Sequence, residues 1–531
     1  MKKKKLVAVA CAMAMLTVLV AGCGGSGENT TAAAEETTAA EETTAAEKTT
    51  AGSGKELVFA GNGGLTMDPA DGYRGWSTIR NGVGETLFKL SQELQAEPFL
   101  LDDYAISEDH MTWTLTIKDG VTFQNGNPMD AEAVRACLQR TVEMNERAAS
   151  DLKIASMEAD GLTLSITTSE PNPTLPNALC DPYACIIDTT SSEDFSTNPI
   201  GTGPYMVESF TVDKETVVVP YDGYWNGTPK LSRIRIVSMD KDTMAMALQT
   251  GEIDAAYAMP YDGQALFIGD ENYNLQTVAT SRIYKLYYNY HNEHLANANV
   301  RKALNMLVDK EAYGAAAMSG FGAAAVGCFP EDTPYSEGLT ATGFDIEGAK
   351  ALLAQEGYSD SDNDGILDKD GSPLHFELVT YSSRAELPSI SAAFQSQCKE
   401  VGIDVNVTVS ENVDEVLSAD QFDISAYAYV TLPTGDPASY LNFVMGEGGG
   451  ANFGHFENAE VQSLLSQLNQ EFDPDTRAEL ARQIVQLALD EDAYCFMDHL
   501  MMSLVTSAKV TGLEPHPSDY YQINVNTDIT D

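Results

Sequence analysis

Phe376-Glu377-Leu378-Val379-Thr380, then Ser389 to Val401, then Val405-Asn406-Val407-Thr408-Val409 is the stretch that decides the fold class. The outer segments are short and apolar, and the middle one repeats its apolar residues at helical spacing. A strand, a helix and a strand in that order predict a parallel pair joined by a crossover. Downstream, Asp423 to Val430 reads as a strand, and Val461 to Asn469 and Arg477 to Leu489 as amphipathic helices. Upstream lie helices over Val300 to Val308 and Ile346 to Glu356, and an aromatic strand over Leu286 to Tyr290. Nearer the N-terminus, Lys241 to Gly251 is a helix closed by its glycine. Strands are expected at Glu56–Ala60, Leu162–Thr167, Thr216–Val219 and Leu231–Val237. Asp130 is placed to cap a helix over Ala131–Met144, with Val134, Cys137, Leu138 and Val142 on one face. Trp113 to Ile117 alternates cleanly, and Lys118-Asp119-Gly120 is expected to turn it into Val121-Thr122-Phe123 as a hairpin. Strands alternating with helices across two halves predict two α/β lobes, with a strand-rich part inserted around residues 100 to 220.

The first residues carry a different message. Lys2 to Lys5 are followed by an apolar run, Leu6 to Val20, too short to span a bilayer, which needs about 20 residues. Ala21 and Gly22 then precede Cys23, so residues 1–22 read as a signal peptide. This arrangement resembles the bacterial lipobox, which implies that Cys23 becomes the lipidated first residue of the mature chain. Residues 23–54 hold no large apolar side chain and repeat Glu-Glu-Thr-Thr-Ala-Ala, the signature of a flexible tether.

The 31 basic residues stand against 79 acidic ones, a net charge of −48. Nucleic acid and anionic lipid are therefore poor partners. A cationic ligand, a metal ion or a peptide is easier to accommodate, and the acidity is equally a device for solubility. The cysteines after Cys23 show no Cys-x-x-Cys spacing, which argues against a zinc site. Cys180 and Cys185 are close enough in sequence to form a disulfide, and the others read as buried thiols. There is no Gly-x-Ser-x-Gly elbow, no His-Glu-x-x-His helix and no nucleotide loop, so an exported hydrolase is the weaker alternative.

Several segments occur together: Lys118-Asp119-Gly120-Val121-Thr122-Phe123, Pro199-Ile200-Gly201-Thr202-Gly203-Pro204-Tyr205, Tyr224-Trp225, Gly251-Glu252-Ile253-Asp254, Val300-Arg301-Lys302-Ala303-Leu304 and Gly435-Asp436-Pro437. With these in order over residues 55–531, the chain resembles the extracellular solute-binding proteins of family 5, the receptors of peptide and nickel ABC importers. The resemblance implies a two-lobed, class II periplasmic-binding-protein-like fold: lobe I over 55–285, lobe II over 286–500, and a return to lobe I over 501–531. It implies a monomer without catalytic residues or cofactor, lipid-anchored on the extracytoplasmic face. Such a protein hands a small-molecule or peptide ligand to a membrane permease; a receptor that presents its ligand to a membrane sensor is, with the hydrolase, an alternative. The ligand expected is a short peptide or a nickel-type metal chelate, with the peptide slightly favoured.

The same resemblance points to ligand contacts. The loop after the first strand offers Tyr73, Arg74, Trp76 and Arg80. Arg147 occupies the place of an arginine that grips chelate carboxylates, or else makes a surface ion pair with Glu143 or Glu146. The second lobe offers Tyr427, Tyr429, Thr434, Asp436 and Tyr440. Asp436 matches an aspartate that pairs with a peptide's α-amino group, and it is also suited to capping a loop. His455 is a candidate direct metal ligand or a structural hydrogen-bonding residue. Asp360-Ser361-Asp362-Asn363-Asp364-Gly365 opens like a calcium loop, but Gly371 stands where a bidentate glutamate belongs, so a polar turn is the simpler reading.

Overall fold

Two strands much longer than the sequence pattern suggested organise the molecule. In the computed structural model, which describes residues 54–530 except 62, 73, 192 and 193, they are Tyr273–Tyr288 and Tyr494–Ser507. The signal peptide, Cys23, nearly all of the tether and Tyr73 lie outside the described residues. The two strands run antiparallel along one another through the middle of an 11-stranded sheet. On one side Tyr494–Ser507 hands the sheet to Ala255–Tyr257, Glu56–Ala60, Arg233–Val237, Glu215–Pro220 and Tyr205–Thr211. On the other side Tyr273–Tyr288 hands it to Ile424–Val430, His375–Thr380 and Asp404–Val409. The ladder between the two long strands breaks between Ala279 and Ile283, and again between Tyr284 and Lys285. Ile283–Tyr288 and Tyr494–His499 are buried without a break, so the sequence there shows no polar–apolar alternation.

The strand–helix–strand run forms as expected: His375–Thr380 and Asp404–Val409 pair in parallel, joined by the helix Glu386–Glu400. Leu387, Ile390, Phe394 and Cys398 lie buried on its inner face. Asp130 caps the helix Ala131–Met144 by accepting from Ala133 N–H at 2.9 Å. Gly251, with φ +74, closes Met244–Thr250 in the left-handed region where a side chain is costly.

Three expectations fail. Thr112–Ile117 does not form a hairpin with residues 121–123; it pairs with Leu101–Ile106 and Thr163–Thr168 in a separate four-stranded sheet. Lys118 N–H bonds back to Leu100 C=O, which turns the chain away from its own strand. That separate sheet ends at Thr168, and the strands of 205–220 join the large sheet instead. Cys180 and Cys185 form no disulfide; both are buried thiols, with burial raising their pKa values.

The scattered motifs converge on one buried group. Glu85 Oε2 accepts from Thr202 Oγ1 at 2.9 Å and from Trp225 Nε1 at 2.9 Å, and Oε1 accepts from Tyr224 at 2.7 Å. Burial raises the Glu85 pKa while these three donors oppose the rise. Gly201 and Gly203 are required because a Cβ on either would sit 2.2 Å from Val83 O or 2.4 Å from Gly82 O. The Gly-Thr-Gly loop is architecture.

Candidate functional site

A cavity of about 750 Å³ opens where the break in the two long strands meets the C-terminal ends of the flanking strands. In open α/β sheets ligands bind off the carboxyl ends of strands. The walls include the loop after Glu56–Ala60, the helix Glu146–Leu152, residues 238–244, the break itself at 280–282 and 500–502, the loop after His375–Thr380, residues 430–433 and the C-terminal return at 517–522.

Its charge is the reverse of the chain's. Arg74, Arg80, Arg147, Lys241, Arg282 and Arg384 line it, against only Asp181 and Asp519. Both carboxylates are already committed. Arg147 reaches Asp181 with both guanidinium nitrogens, one contact measuring 2.8 Å, and stacks 4.5 Å over the Tyr183 ring. It therefore pairs with Asp181 rather than with Glu143 or Glu146. Arg80 donates to the Asp519 carboxylate at 2.6 Å and to its carbonyl at 3.0 Å, and lies 4.8 Å over Trp76.

Arg282 and Arg384 form no ion pair among the described residues. The Arg282 pKa is lowered, first by burial and then by the like charge of Arg384. Both guanidiniums line the cavity, and Asp519 acts on Arg282 only as a weaker charge without an ion pair; a guanidinium fork bonds carboxylate oxygens in pairs.

Of the residues expected from sequence, Arg74, Trp76, Arg80 and Arg147 line this cavity. Those named on the second lobe do not, and each has a structural engagement. Asp436 is buried and ion-paired with Arg477, whose Nη2 lies 2.6 Å and Nε 3.0 Å away, and it also accepts from Ala438 N–H at 2.9 Å. No α-amino group can share it without breaking a buried ion pair. Tyr440 is 1 % exposed, and its hydroxyl meets Lys285 Nζ at 2.9 Å. Tyr427 donates to Asp414 at 2.8 Å, and Tyr429 packs against Tyr440 and Phe443. The Thr434 carbonyl accepts from Asn177 at 2.9 Å. His455 is a half-buried partner of Asp420 and does not line the cleft. In the Asp360–Gly365 turn Asp360 accepts from Asp364 and Gly365 N–H, each at 3.1 Å, and one carboxylate oxygen from each of Asp360, Asp362 and Asp364 lies within 4.8 Å of the others.

Arg282, Arg384, Asp181 and Asp519 were not found from sequence. Only the rule that ligands sit beyond strand C-terminal ends could have drawn attention to Arg384, four residues after Thr380.

Residues 95–452 match the family described as bacterial extracellular solute-binding proteins, family 5. The chain belongs to that family. Among relatives of this solute-binding protein, the nickel-binding protein NikA of Staphylococcus aureus is 26% identical over 453 residues, covering 85% of this chain and 90% of that one. The glutathione-binding protein GsiB of Salmonella typhimurium is 30% identical over 377 residues, covering 67% and 70%. A nickel ABC transporter structure from Bacillus halodurans superposes with a TM-score of 0.82 at 32% identity, covering 89% of this chain and 99% of that one. The S. aureus NikA structure in complex with Ni(L-His)2 gives 0.70 at 26%, covering 90% and 100%. The fold of this solute-binding protein is thus two-lobed α/β. Among its described residues no helix is long and apolar enough to cross a membrane.

Proposed function

We propose that this solute-binding protein is the ligand-capturing component of an ABC importer, and that its ligand is a small carboxylate-bearing solute. Residues 55–285 with 501–531 act as one lobe and 286–500 as the other, closing about the break at 279–283. Cys23 and the tether hold the monomer beside its permease. The observation that carries the ligand class is the unpaired Arg282–Arg384 couple in a cleft whose two acids are already bonded. Asp181, Asp519 and Asp436 are already bonded and offer no free partner for an α-amino group, so a peptide here would be held through its carboxylates. A nickel-type chelate whose carboxylates wrap the metal presents the anionic surface this lining fits. The likeness to NikA and to the B. halodurans nickel ABC transporter structure supports that reading. The likeness to GsiB supports a second one, an acidic short peptide of the glutathione type.

Native mass spectrometry of protein purified without added ligand tests the assignment, followed by calorimetry with nickel–histidine, glutathione and neutral tripeptides. Retention of a metal chelate or an acidic peptide is expected. Preferential binding of neutral or cationic tripeptides would overturn it.

A further inference from the structure

Away from the cleft, three residues distant in sequence meet at the surface: His291, Asp420 and His455. His291 Nδ1 lies 2.8 Å from Asp420 Oδ2, and His455 Nε2 lies 3.1 Å from Asp420 Oδ1. The imidazoles stack with centroids 3.9 Å apart and planes 21° from parallel. One donor atom from each residue falls within 4.8 Å of the other two.

The segments carrying them are tied to one another by main-chain and amide bonds. Tyr290 N–H donates to Gly454 C=O at 3.0 Å, which fixes the His291 loop against the His455 loop. A Cβ at Gly454 would stand 2.5 Å from Tyr288 O, so only glycine allows that approach. Asn289 Nδ2 bonds both Asp420 Oδ1 at 2.7 Å and Phe422 C=O at 2.8 Å, while Asn289 Oδ1 accepts from His291 N–H at 3.0 Å. One buried amide therefore orients the carboxylate and places the first histidine, the arrangement by which outer partners aim metal ligands. Asp420 and His455 both sit at positive φ, +58° and +59°. Such backbone persists where its surroundings over-determine it, and it clusters at binding sites.

We propose that His291, Asp420 and His455 form a second ligand site of this protein, for a divalent first-row transition ion taken up as the aqua ion. Two imidazole nitrogens and one carboxylate suit Zn2+, Ni2+ or Cu2+ and do not suit Mg2+ or Ca2+. Tetrahedral bonds of ~2.0–2.1 Å put adjacent ligand atoms roughly 3.3 Å apart. His291 Nδ1 and His455 Nε2 now face different oxygens of Asp420, at 2.8 and 3.1 Å, so an ion held between them replaces both contacts and the side chains open to admit it. The stacked rings do not aim both lone pairs at one point, so binding requires the His291 ring, 61 % exposed and free to turn, to leave the stack. The exposed side leaves the fourth position to water. The site is independent of the cleft ligand, because none of its three residues lines the cleft.

Titration of chelator-stripped full chain with Ni2+ or Zn2+, in a millimolar excess of Mg2+ to occupy the acidic surface, tests the proposal. One equivalent is expected, and Cu2+ at the site should show two nitrogen ligands by electron paramagnetic resonance. His291→Gln, an exposed change that leaves the backbone ties intact, should weaken binding at least tenfold, and His455→Gln likewise. No stoichiometric uptake, a single nitrogen in the Cu2+ spectrum, or unchanged affinity in His291→Gln would overturn it. If His455→Gln does not fold, His291→Gln carries the test alone.

Discussion

Replacing Arg282 by Gln should move apo stability and ligand affinity in opposite directions. In the ligand-free cleft its guanidinium is held partly out of water, beside Arg384, with no carboxylate in ion-pair reach among the described residues. Its lowered pKa states that the folded protein disfavours this charge, with burial the larger cause and Arg384 the next. Gln keeps a polar, hydrogen-bonding side chain and removes the repulsion, so the apo protein should gain on the order of 1 kcal/mol. At about 2 cal/mol/K of unfolding entropy per residue, that gain raises the Tm of a chain this long by only roughly 1 °C. Urea unfolding is therefore the better readout. The ligand loses more than the apo state gains. A hydrogen bond between charged groups contributes about 1.5–3 kcal/mol net, which makes Kd for a carboxylate-bearing ligand weaker by roughly tenfold to 150-fold. The assay is calorimetry with nickel–histidine and glutathione, paired with urea titration of ligand-free protein. A variant that binds these ligands as wild type does, or that is less stable without ligand, would refute the reasoning.

Three further outcomes follow from buried groups. Asp498 is fully buried with neither carboxylate oxygen bonded, and burial raises its pKa to about 7. Its stability contribution is complete below about pH 4 and lost as pH rises to about 7, roughly 3 pK units or ~4 kcal/mol in all. Asp498→Asn should flatten that part of the pH–stability curve, and parallel curves would count against it. Lys285 is buried among Tyr287, Tyr440 and Tyr494, with its pKa pushed well below 10.5 by loss of water. The unfolded chain then binds the extra proton, so stability rises as pH climbs from the folded pKa towards the unfolded one. Lys285→Met should remove that slope, measured by urea midpoints between pH 7 and 10. Gly435, at φ +81, would place a Cβ 2.1 Å from Leu94 O. Gly435→Ala should destabilise by more than the ~1 kcal/mol of backbone strain alone, and a neutral urea midpoint would contradict that.

Much of the scaffold was legible because it follows from local rules. The Asp130 cap, the Gly251 stop and the 375–409 strand–helix–strand unit each depend on residues within one or two turns of chain. The Thr112–Ile117 partner was misjudged because a strand's alternation does not name its neighbour. Lys118-Asp119-Gly120 looked like a hairpin turn, yet the ladder forms with Thr163–Thr168. Burial also erased the alternation of Tyr494–Ser507, so the strand that joins the two sides of the sheet had the least visible pattern.

The sequence by itself determined the family, the two α/β halves and the arginines after the first strand, because motif order and local propensity are written along the chain. Tertiary structure alone decided which charges remain uncommitted. Asp436 looked available until Arg477, 41 residues away, was found to hold it. Arg282 and Arg384, 102 residues apart, came to line one cavity only through the fold, and neither is ion-paired among the described residues. Pairing is a property of three-dimensional neighbours, and so is the charge a ligand meets. That is why a chain of net charge −48 lines its cavity with cationic side chains.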